Sequence, residues 1–336
     1  MASKRVTMLE VAIRSGVSSQ TVSRVINGDV HVSKKTRQQV LDVIDALNYK
    51  PNRAAQSLVT NQSNIIEVIT FGANHYGPAQ TLTNIQREAQ SLGYNLIYST
   101  IVNTSREEIV HALDSLSGRL VDGIILITPV LGATHQELVD ACRGTPFVQV
   151  DNEQGSASPS VVINQIEGGR LAVQHLINLG HSQIGEISGP GTWFAAKSRI
   201  EGGRRALAAA GLQPVIRIEG NWTAEGGYQS VQALLSSGPR FTALVVGNDQ
   251  MALGAIYALQ ERGLKVPEDV SVVGFDDIPE SAYFRPALTT VRQDFRVLGR
   301  QAVEYLVALI NDPETPTHQR LLQTQLIVRN STAPLR

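Results

Sequence analysis

The sequence predicts an α/β protein in two parts: a small helical head, then a body of two lobes that are each a doubly wound parallel sheet. Three observations predict it. Residues 1–62 carry nine lysines and arginines against four acids, whereas the rest of the chain carries 20 against 26. Within the first fifty residues, apolar positions recur at helical spacing in three short stretches. From Ile65 onward, short β-rich runs alternate with helical stretches of about 12–15 residues, the pattern of strands buried between helices.

A chain of 336 residues fits about two domains. With 42% hydrophobic and 18% charged residues it can bury a core without covalent staples. The single cysteine, Cys142, excludes a disulfide framework within one chain and fits a reducing compartment. The opening "MASKRVTMLEVAIRSG" has no unbroken apolar segment and no small-residue cleavage site. No apolar run reaches membrane-spanning length, so a cytoplasmic protein without a membrane partner is expected. A basic head on an acidic body points to nucleic acid at the head, although charge alone is also compatible with a solvated basic face.

In the head, a first helix is expected from Met8 to Ser15, with Leu9, Ala12 and Ile13 on one face and Gly16 ending it. Gly16 supplies a tight turn and Val17 an apolar plug. The second helix runs from Ser19 to Ile26, capped by Ser18 or Ser19, with Val22, Val25 and Ile26 facing the first. Gln20 and Arg24 lie one turn apart on its other face, beside Ser19 and Ser23. Glutamine pairs bidentately with adenine and arginine with guanine in a major groove, so a polar face of this kind is that of a recognition helix. The third helix runs from Lys34 to Leu47, with Ser33 as N-cap, Val40, Val43, Ile44 and Leu47 as its apolar stripe, and Pro51 in "NYKP" ending it. The following "PNRAAQSLVTNQSN" is linker-like, yet its "RAAQSLV" favours helix and can form one when something holds it.

In the body, the runs "IIEVIT", "NLIYST", "DGIILIT", "PFVQVD", "QIGEISG", "PVIRIEG", "ALVVGND" and "VSVVGFD" are read as strands. Eight strands before residue 280 exceed one mononucleotide-sized sheet, so two similar lobes with a cleft between them are expected. Asp151, Asn248 with Asp249, and Asp276 with Asp277 fall at strand carboxyl ends, where α/β proteins place ligands. A sugar needs fixed acceptors and donors plus an aromatic face. Arg199 offers a fork of donors and Trp222 a platform. Alternatives stay open for each: the aspartates can cap turns, Trp222 can be core, and Arg199 can pair with a neighbouring acid.

The stretch "VTMLEVAIRSGVSSQTVSRVINGDVHVSKKTRQQVLDVIDALNYKPNRAAQSL" strongly resembles the DNA-binding head of the lactose/galactose repressor family of bacterial transcription factors. The resemblance continues through "GNWTAEGGYQS", "VGNDQMALGAIYAL", "DVSVVGFDDIPES" and "LTTVRQDFRVLGRQAVEYL", and is closest to the lactose-repressor branch. It implies a helix-turn-helix head over 1–50 and a hinge helix within 51–63 that orders on operator DNA. It also implies a periplasmic-binding-protein-like body over 64–336. The N-lobe would span about 64–162 plus 293–320, and the C-lobe about 163–292 plus 321–332. By the resemblance, Ser19, Gln20 and Arg24 sit at base edges, and Thr7, Thr21, Ser23, Asn27, His31, Ser33 and Thr36 near phosphates. Asn52, Arg53 and Ala55 belong to the hinge, and Leu58 matches the family's minor-groove wedge. The implied effector contacts are Asp151, Arg199, Trp222, Asn248, Asp276, Gln293 and Phe295.

Two departures qualify the resemblance. Ser19 stands where the lactose-responsive branch has a bulky aromatic, so the operator need not be that branch's. Ile127, Ile163, Trp193 and Ala195 stand where that branch has polar or aromatic groups, which makes one cleft wall less polar. The expected function is a repressor of pseudo-palindromic operator DNA, controlled by a small sugar or glycoside acting as inducer. A corepressing or purine effector is the alternative within the family. A homodimer is expected, because the C-terminal "LINDPETPTHQRLLQTQLIVRNSTAPLR" carries no heptad run for a tetramer-forming coiled coil. No cofactor, metal or catalytic residue is expected. The chain has no GxxxxGK[ST], HExxH, CxxC or GxSxG, its seven histidines show no metal-ligand spacing and read as surface or helix-face residues, and Cys142 reads as a buried thiol. An enzyme or a sugar-transport component is the distant alternative.

Overall fold

The computed structural model describes residues 6–50, 62–101, 111–113, 121–127, 134–238 and 240–335. The chain divides into a unit of residues 1–63 and a unit of residues 64–336. Asn52, Arg53, Ala55 and Leu58 of the expected hinge lie outside the described residues.

The head is three helices: α1 (Met8–Ser15), α2 (Ser19–Ile26) and α3 (Lys34–Ala46). Its core is Val11, Ala12, Val22, Val25, Val40 and Tyr49. The apolar face expected for α1 is corrected here. Leu9 and Ile13 are 60% and 71% exposed, and α1 turns Val11, Ala12 and Ser15 inward instead. The Ser15 hydroxyl is accommodated there because it donates to the Val11 carbonyl at 2.6 Å. Of the two cap candidates for α2, Ser18 is the one used, its hydroxyl accepting from the Thr21 N–H at 3.2 Å. Pro51 does not end α3. The helix stops four residues earlier at the Leu47 cap, where Asn48 turns left-handed (φ 47°) and the Tyr49 ring returns to the core.

The body has two six-stranded sheets. The first contains β1 (Ile65–Phe71), β2 (Asn95–Ile101), β3 (Gly123–Ile127), β4 (Phe147–Val150), β5 (Ser160–Ile163) and β11 (Gln319–Leu322), in the order β11-β5-β4-β3-β1-β2, all parallel. The second contains β6 (Ile184–Ser188), β7 (Ile216–Glu219), β8 (Ala243–Val246), β9 (Ser271–Asp276), β10 (Thr289–Arg292) and β12 (Gln325–Ile327), in the order β12-β10-β9-β8-β6-β7. Only β12 in that sheet is antiparallel, against β10. Helices α4 (Tyr76–Ser91), α5 (His135–Cys142) and α10 (Phe295–Asn311) belong to the first lobe. Helices α6 (Gln165–Asn178), α7 (Phe194–Ala209), α8 (Ala224–Ser237) and α9 (Asp249–Glu261) belong to the second.

The chain crosses between sheets three times: after Ile163, after Arg292 and after Leu322. The first sheet thus keeps Ile163 and runs to Leu322, slightly beyond the expected lobe boundaries. Strands β3, β4 and β5 are buried at every residue, as strands sandwiched between helices must be. Cys142 is buried, and burial pushes its thiol up to about 12. Two histidines depart from the surface reading. His181 is 4% exposed and bonded to Thr242 and Ser271 at 2.9 and 3.1 Å, and His75 lies at the cleft.

Candidate functional site

The head presents its polar groups on α2 and at helix starts. Gln20 and Arg24 are exposed one turn apart, and Ser19, Thr21 and Ser23 are half-exposed beside them. They stand there because Val22 and Val25, at 0% and 4% exposure, fix the opposite face of α2 in the core. Arg24 Nε lies 3.7 Å from the Asp29 carboxylate while its side chain stays 56% exposed, which orients the guanidinium without occupying its fork. Four of the expected phosphate contacts, Thr7, Thr21, Ser33 and Thr36, are helix N-caps or their partners. Thr7 and Glu10 form a reciprocal capping box on α1, with the Glu10 N–H donating to the Thr7 hydroxyl at 3.3 Å and the Thr7 N–H donating to Glu10 Oε2 at 2.7 Å. Ser33 caps α3, its hydroxyl accepting from the Thr36 N–H at 3.1 Å and pairing with the Thr36 hydroxyl at 2.8 Å. A capped N-terminus holds its first-turn N–H groups in the fixed array that anions bind. Asn27 and His31 are exposed after α2.

In the body, one cleft between the lobes is lined by all seven residues expected at an effector: Asp151, Arg199, Trp222, Asn248, Asp276, Gln293 and Phe295. It encloses ≈ 460 Å³ of space, open solvent included. Four side chains close a ring. Arg199 Nε donates to Gln165 Oε1 at 2.9 Å, Gln165 Nε2 to Gln293 Oε1 at 2.7 Å, and Gln293 Nε2 to Asp276 Oδ1 at 2.6 Å. Arg199 Nη2 stands 3.6 Å from the same Asp276 oxygen. Arg199 also donates to the Gly247 carbonyl and stacks 3.8 Å over the Phe275 ring. It reaches this position because Gly169 lets α6 and α7 touch, a Cβ there falling 2.1 Å from the Arg199 carbonyl oxygen.

Two carboxylates face one guanidinium. Burial raises Asp276 to about 6, opposed by Arg199 and by the Gln293 hydrogen bond. Burial likewise raises Asp151 to about 6, again opposed by Arg199. Asp151 leaves β4 with φ 59°, and among the described residues no hydrogen bond reaches its carboxylate. Trp222 is 6% exposed and packs in the second lobe's core as well as lining the cleft. Its indole Nε1–H is buried with no partner among the described residues. The ring lies flat on Gly189, where a Cβ would come within 2.0 Å. The unpaired Asp151 carboxylate, a buried unpaired donor and aromatic faces together suit a compact polyol, whose hydroxyls donate and accept and whose C–H face is apolar.

Other residues play different parts. Asn248 caps α9, accepting from the Met251 N–H at 2.9 Å, and donates to the Trp222 carbonyl at 3.1 Å, so it positions the platform as well as lining the cleft. Asp249 is structural, accepting from the Ile278 N–H and the Thr290 hydroxyl, and burial holds it well above the ordinary carboxylate range. Asp277 is paired with Arg292 and Arg329 at 2.6 Å. Of the departures, Trp193 and Ala195 line the cleft, Ile163 lines an adjoining space, and Ile127 is fully buried in the first lobe's core. Sequence reasoning missed Gln165 and the wall His75–Pro78, which comes from the other lobe. Trp193 crosses to that wall, with its ring centroid 5.4 Å from His75 and 5.7 Å from both Phe71 and Trp222. Among the described residues no group of His, Cys, Asp or Glu could hold a metal, and no helix is long and apolar enough to cross a membrane.

Residues 7–52 match the family model described as bacterial regulatory proteins, lacI family, and residues 173–332 match a periplasmic binding protein-like domain. The chain is 38% identical over 329 residues to the lactose operon repressor of Escherichia coli (strain K12), covering 98% of this chain and 91% of that protein. It is 35% identical over 330 residues to the HTH-type transcriptional repressor PurR of Haemophilus influenzae (strain PittEE), covering 97% and 98%. Among solved structures, the lac repressor dimer bound to operator and the anti-inducer ONPF is similar with a TM-score of 0.93 at 38% identity, over 98% of this chain and 100% of that one.

Proposed function

The chain belongs to the lacI family of bacterial regulatory proteins, and from that membership we propose that it is a repressor whose hold on operator DNA is released by a small sugar or glycoside bound between its lobes. The observation that carries the reading is the convergence of Asp151, Arg199, Trp222, Asn248, Asp276, Gln293 and Phe295, spread over 145 positions of the chain, on one cleft suited to a polyol. In this reading Gln20 and Arg24 pair with base edges in the major groove, with Ser19 beside them. Thr7, Thr21, Ser23, Asn27, His31, Ser33 and Thr36 hold the backbone. Asn52, Arg53, Ala55 and Leu58 complete the contact as a hinge. The relative solved as a dimer on operator supports a homodimer that sets two heads on a pseudo-palindromic site. Relatives named as repressors support a role without catalysis, exercised in the cytoplasm where the DNA is.

The coupling follows from where the ring sits. Gln165 and Gln293 stand at two of the three crossings between lobes, and Arg199 and Asp276 join them. A ligand that bonds to Arg199 and Asp276 of the second lobe and to Asp151 of the first therefore has a different binding free energy in each arrangement of the lobes, which is what an allosteric effector requires. A tenfold loss of operator affinity needs a difference of about 1.4 kcal/mol.

The aromatic faces of Trp193, Trp222 and Phe295 also suit a planar base, and one relative is named for purine repression, so a purine effector is the second reading. A thermal-shift screen of sugars, glycosides and purines, followed by operator titration with each hit, separates the two. A sugar that raises the melting temperature and weakens operator binding supports the first. A purine that does so, or any ligand that tightens operator binding, replaces it.

A further inference from the structure

Helix α7 begins behind a residue that does nothing for the helix. Trp193 holds the N-cap position and makes no side-chain cap bond there, where a serine, threonine, asparagine or aspartate would satisfy first-turn N–H groups. Its indole goes to the other lobe instead, and only 7% of the residue is exposed. Its ring centroid lies 5.7 Å from Phe71, at the end of β1, and 5.4 Å, edge-on, from His75, at the start of α4. Gly72 forms the floor of this socket. It turns left-handed (φ 66°), and a Cβ on it would stand 2.8 Å from Trp193 Cη2. Within its own lobe the indole packs against Trp222 at 5.7 Å. Phe71 reaches across in return and packs on apolar clusters of both lobes.

Neither Phe71, Gly72, His75 nor Trp193 belongs to one of the three crossings between the lobes, so this contact joins the lobes independently of them. It also differs in kind from the ring of hydrogen bonds. Amides and a guanidinium exchange partners with water or ligand at small net cost, whereas an indole in a fitted socket is either seated or not. The helix behind it is a lever. Arg199, which lines the cleft, stands on α7 together with Trp193 at its start. Helix α7 cannot slide on α6, because their backbones touch at Gly169 and Gly202, where a Cβ would run into the Arg199 and Ile166 carbonyl oxygens respectively. A ligand that draws Arg199 to a new position therefore draws Trp193 with it. The body with Trp193 seated is similar to that of the relative solved on operator. We infer that Trp193 is a positioning residue of the allosteric switch: a latch whose seating on Phe71, Gly72 and His75 holds the lobes in the arrangement that grips operator, and which an effector on Arg199 withdraws. This rests on the proposed effector-controlled repressor function.

The chain has two tryptophans, so full-length protein labelled with 5-fluorotryptophan gives two fluorine resonances, assigned with Trp222→Phe. The test compares wild type with Phe71→Leu, which keeps apolar bulk but loses the aromatic partner, and with Gly72→Ala, which puts a methyl under the indole. Each is measured alone, with a duplex that wild type has selected from random sequence, and with an unselected duplex. Phe71 does not line the cleft, so its substitution leaves the effector contacts in place. In both variants the Trp193 resonance moves away from its wild-type position and becomes sensitive to exchange of H2O for D2O. Affinity for the selected duplex falls about twofold to tenfold, the worth of one aromatic pair. The selected duplex returns the Trp193 resonance toward the wild-type position and the unselected duplex does not, because operator and latch favour each other reciprocally. A Trp193 resonance that both variants leave unchanged, or that stays displaced while the selected duplex is bound, overturns the latch and leaves the repressor standing. A wild-type protein that selects no duplex overturns the repressor reading and the latch with it.

Discussion

Asp276→Asn is expected to stabilise the protein at neutral pH while removing its response to sugar. Asp276 is 6% exposed, and its carboxyl is raised from an ordinary 3.8 to about 6 by burial, even with Arg199 and Gln293 opposing the shift. A rise of that size corresponds to about 3 kcal/mol of ionisation cost carried by the folded protein above pH 6. The amide keeps the shape, accepts the Gln293 hydrogen bond made at 2.6 Å, and tolerates the positive φ of 112° better than most residues. A gain of about 1–3 kcal/mol at pH 7.5 is expected, the upper figure being the full ionisation cost. That gain raises the melting temperature by about 2–4 °C per kcal/mol. The pH dependence has a definite sign. The folded carboxyl takes up its proton near pH 6 and the unfolded one near 3.8, so wild type recovers stability as pH falls between those values. The variant's advantage therefore shrinks from pH 7.5 toward pH 4. Loss of an ionised acceptor from ligand hydroxyls is expected to weaken effector binding about tenfold or more. Thermal unfolding of both proteins across pH 4–7.5 is the assay. A variant less stable than wild type at pH 7.5, or a difference that does not change with pH, refutes the reasoning about a buried, costly carboxylate.

Four other outcomes follow from the same geometry. Arg199→Lys keeps a charge but cannot donate at once to Gln165, Gly247 and the ligand, so operator binding in a gel shift should survive while the response to effector disappears. Effector affinity should fall as pH drops below about 6, because Asp151 and Asp276 both take up protons there and lose acceptor strength; isothermal titration at pH 5 and 7.5 reads this. Gly189→Ala places a methyl 2.0 Å from the Trp222 ring and should displace the platform, weakening sugar binding without altering binding to operator. Arg24→Ala and Gln20→Ala should each cost about 1–3 kcal/mol of discrimination against substituted operators and leave non-specific binding largely intact, as measured by competition with random duplex.

The sequence was most legible where chemistry is local. Gln20 and Arg24 share a helix face because they are four apart, and Ser33 caps α3 because an N-cap acts within three residues. Leu9 and Ile13 were misread for the same reason that made them attractive: an i, i+4 apolar pair in an eight-residue helix can face either way until α2 and α3 choose the side. Strands β5, β10, β11 and β12 have three or four residues each and carry no period a window can detect. Strand ends pointed to Asp151, Asp249, Asp276 and Asp277 alike. Only tertiary partners separate them: Asp249 is spent on Thr290 and Ile278, and Asp277 on two arginines. Gln165 was invisible because its partner Gln293 is 128 residues away and a glutamine in a crossover has no local signature.

The most direct measurement is the affinity of the purified protein for its operator duplex at fixed ionic strength, titrated with the sugar that gives the largest thermal shift. The account predicts that saturating sugar lowers operator affinity at least tenfold in wild type, a coupling of about 1.4 kcal/mol, and leaves the Arg199→Lys variant unchanged. Operator affinity that is indifferent to every bound sugar, or that rises with it, contradicts the account.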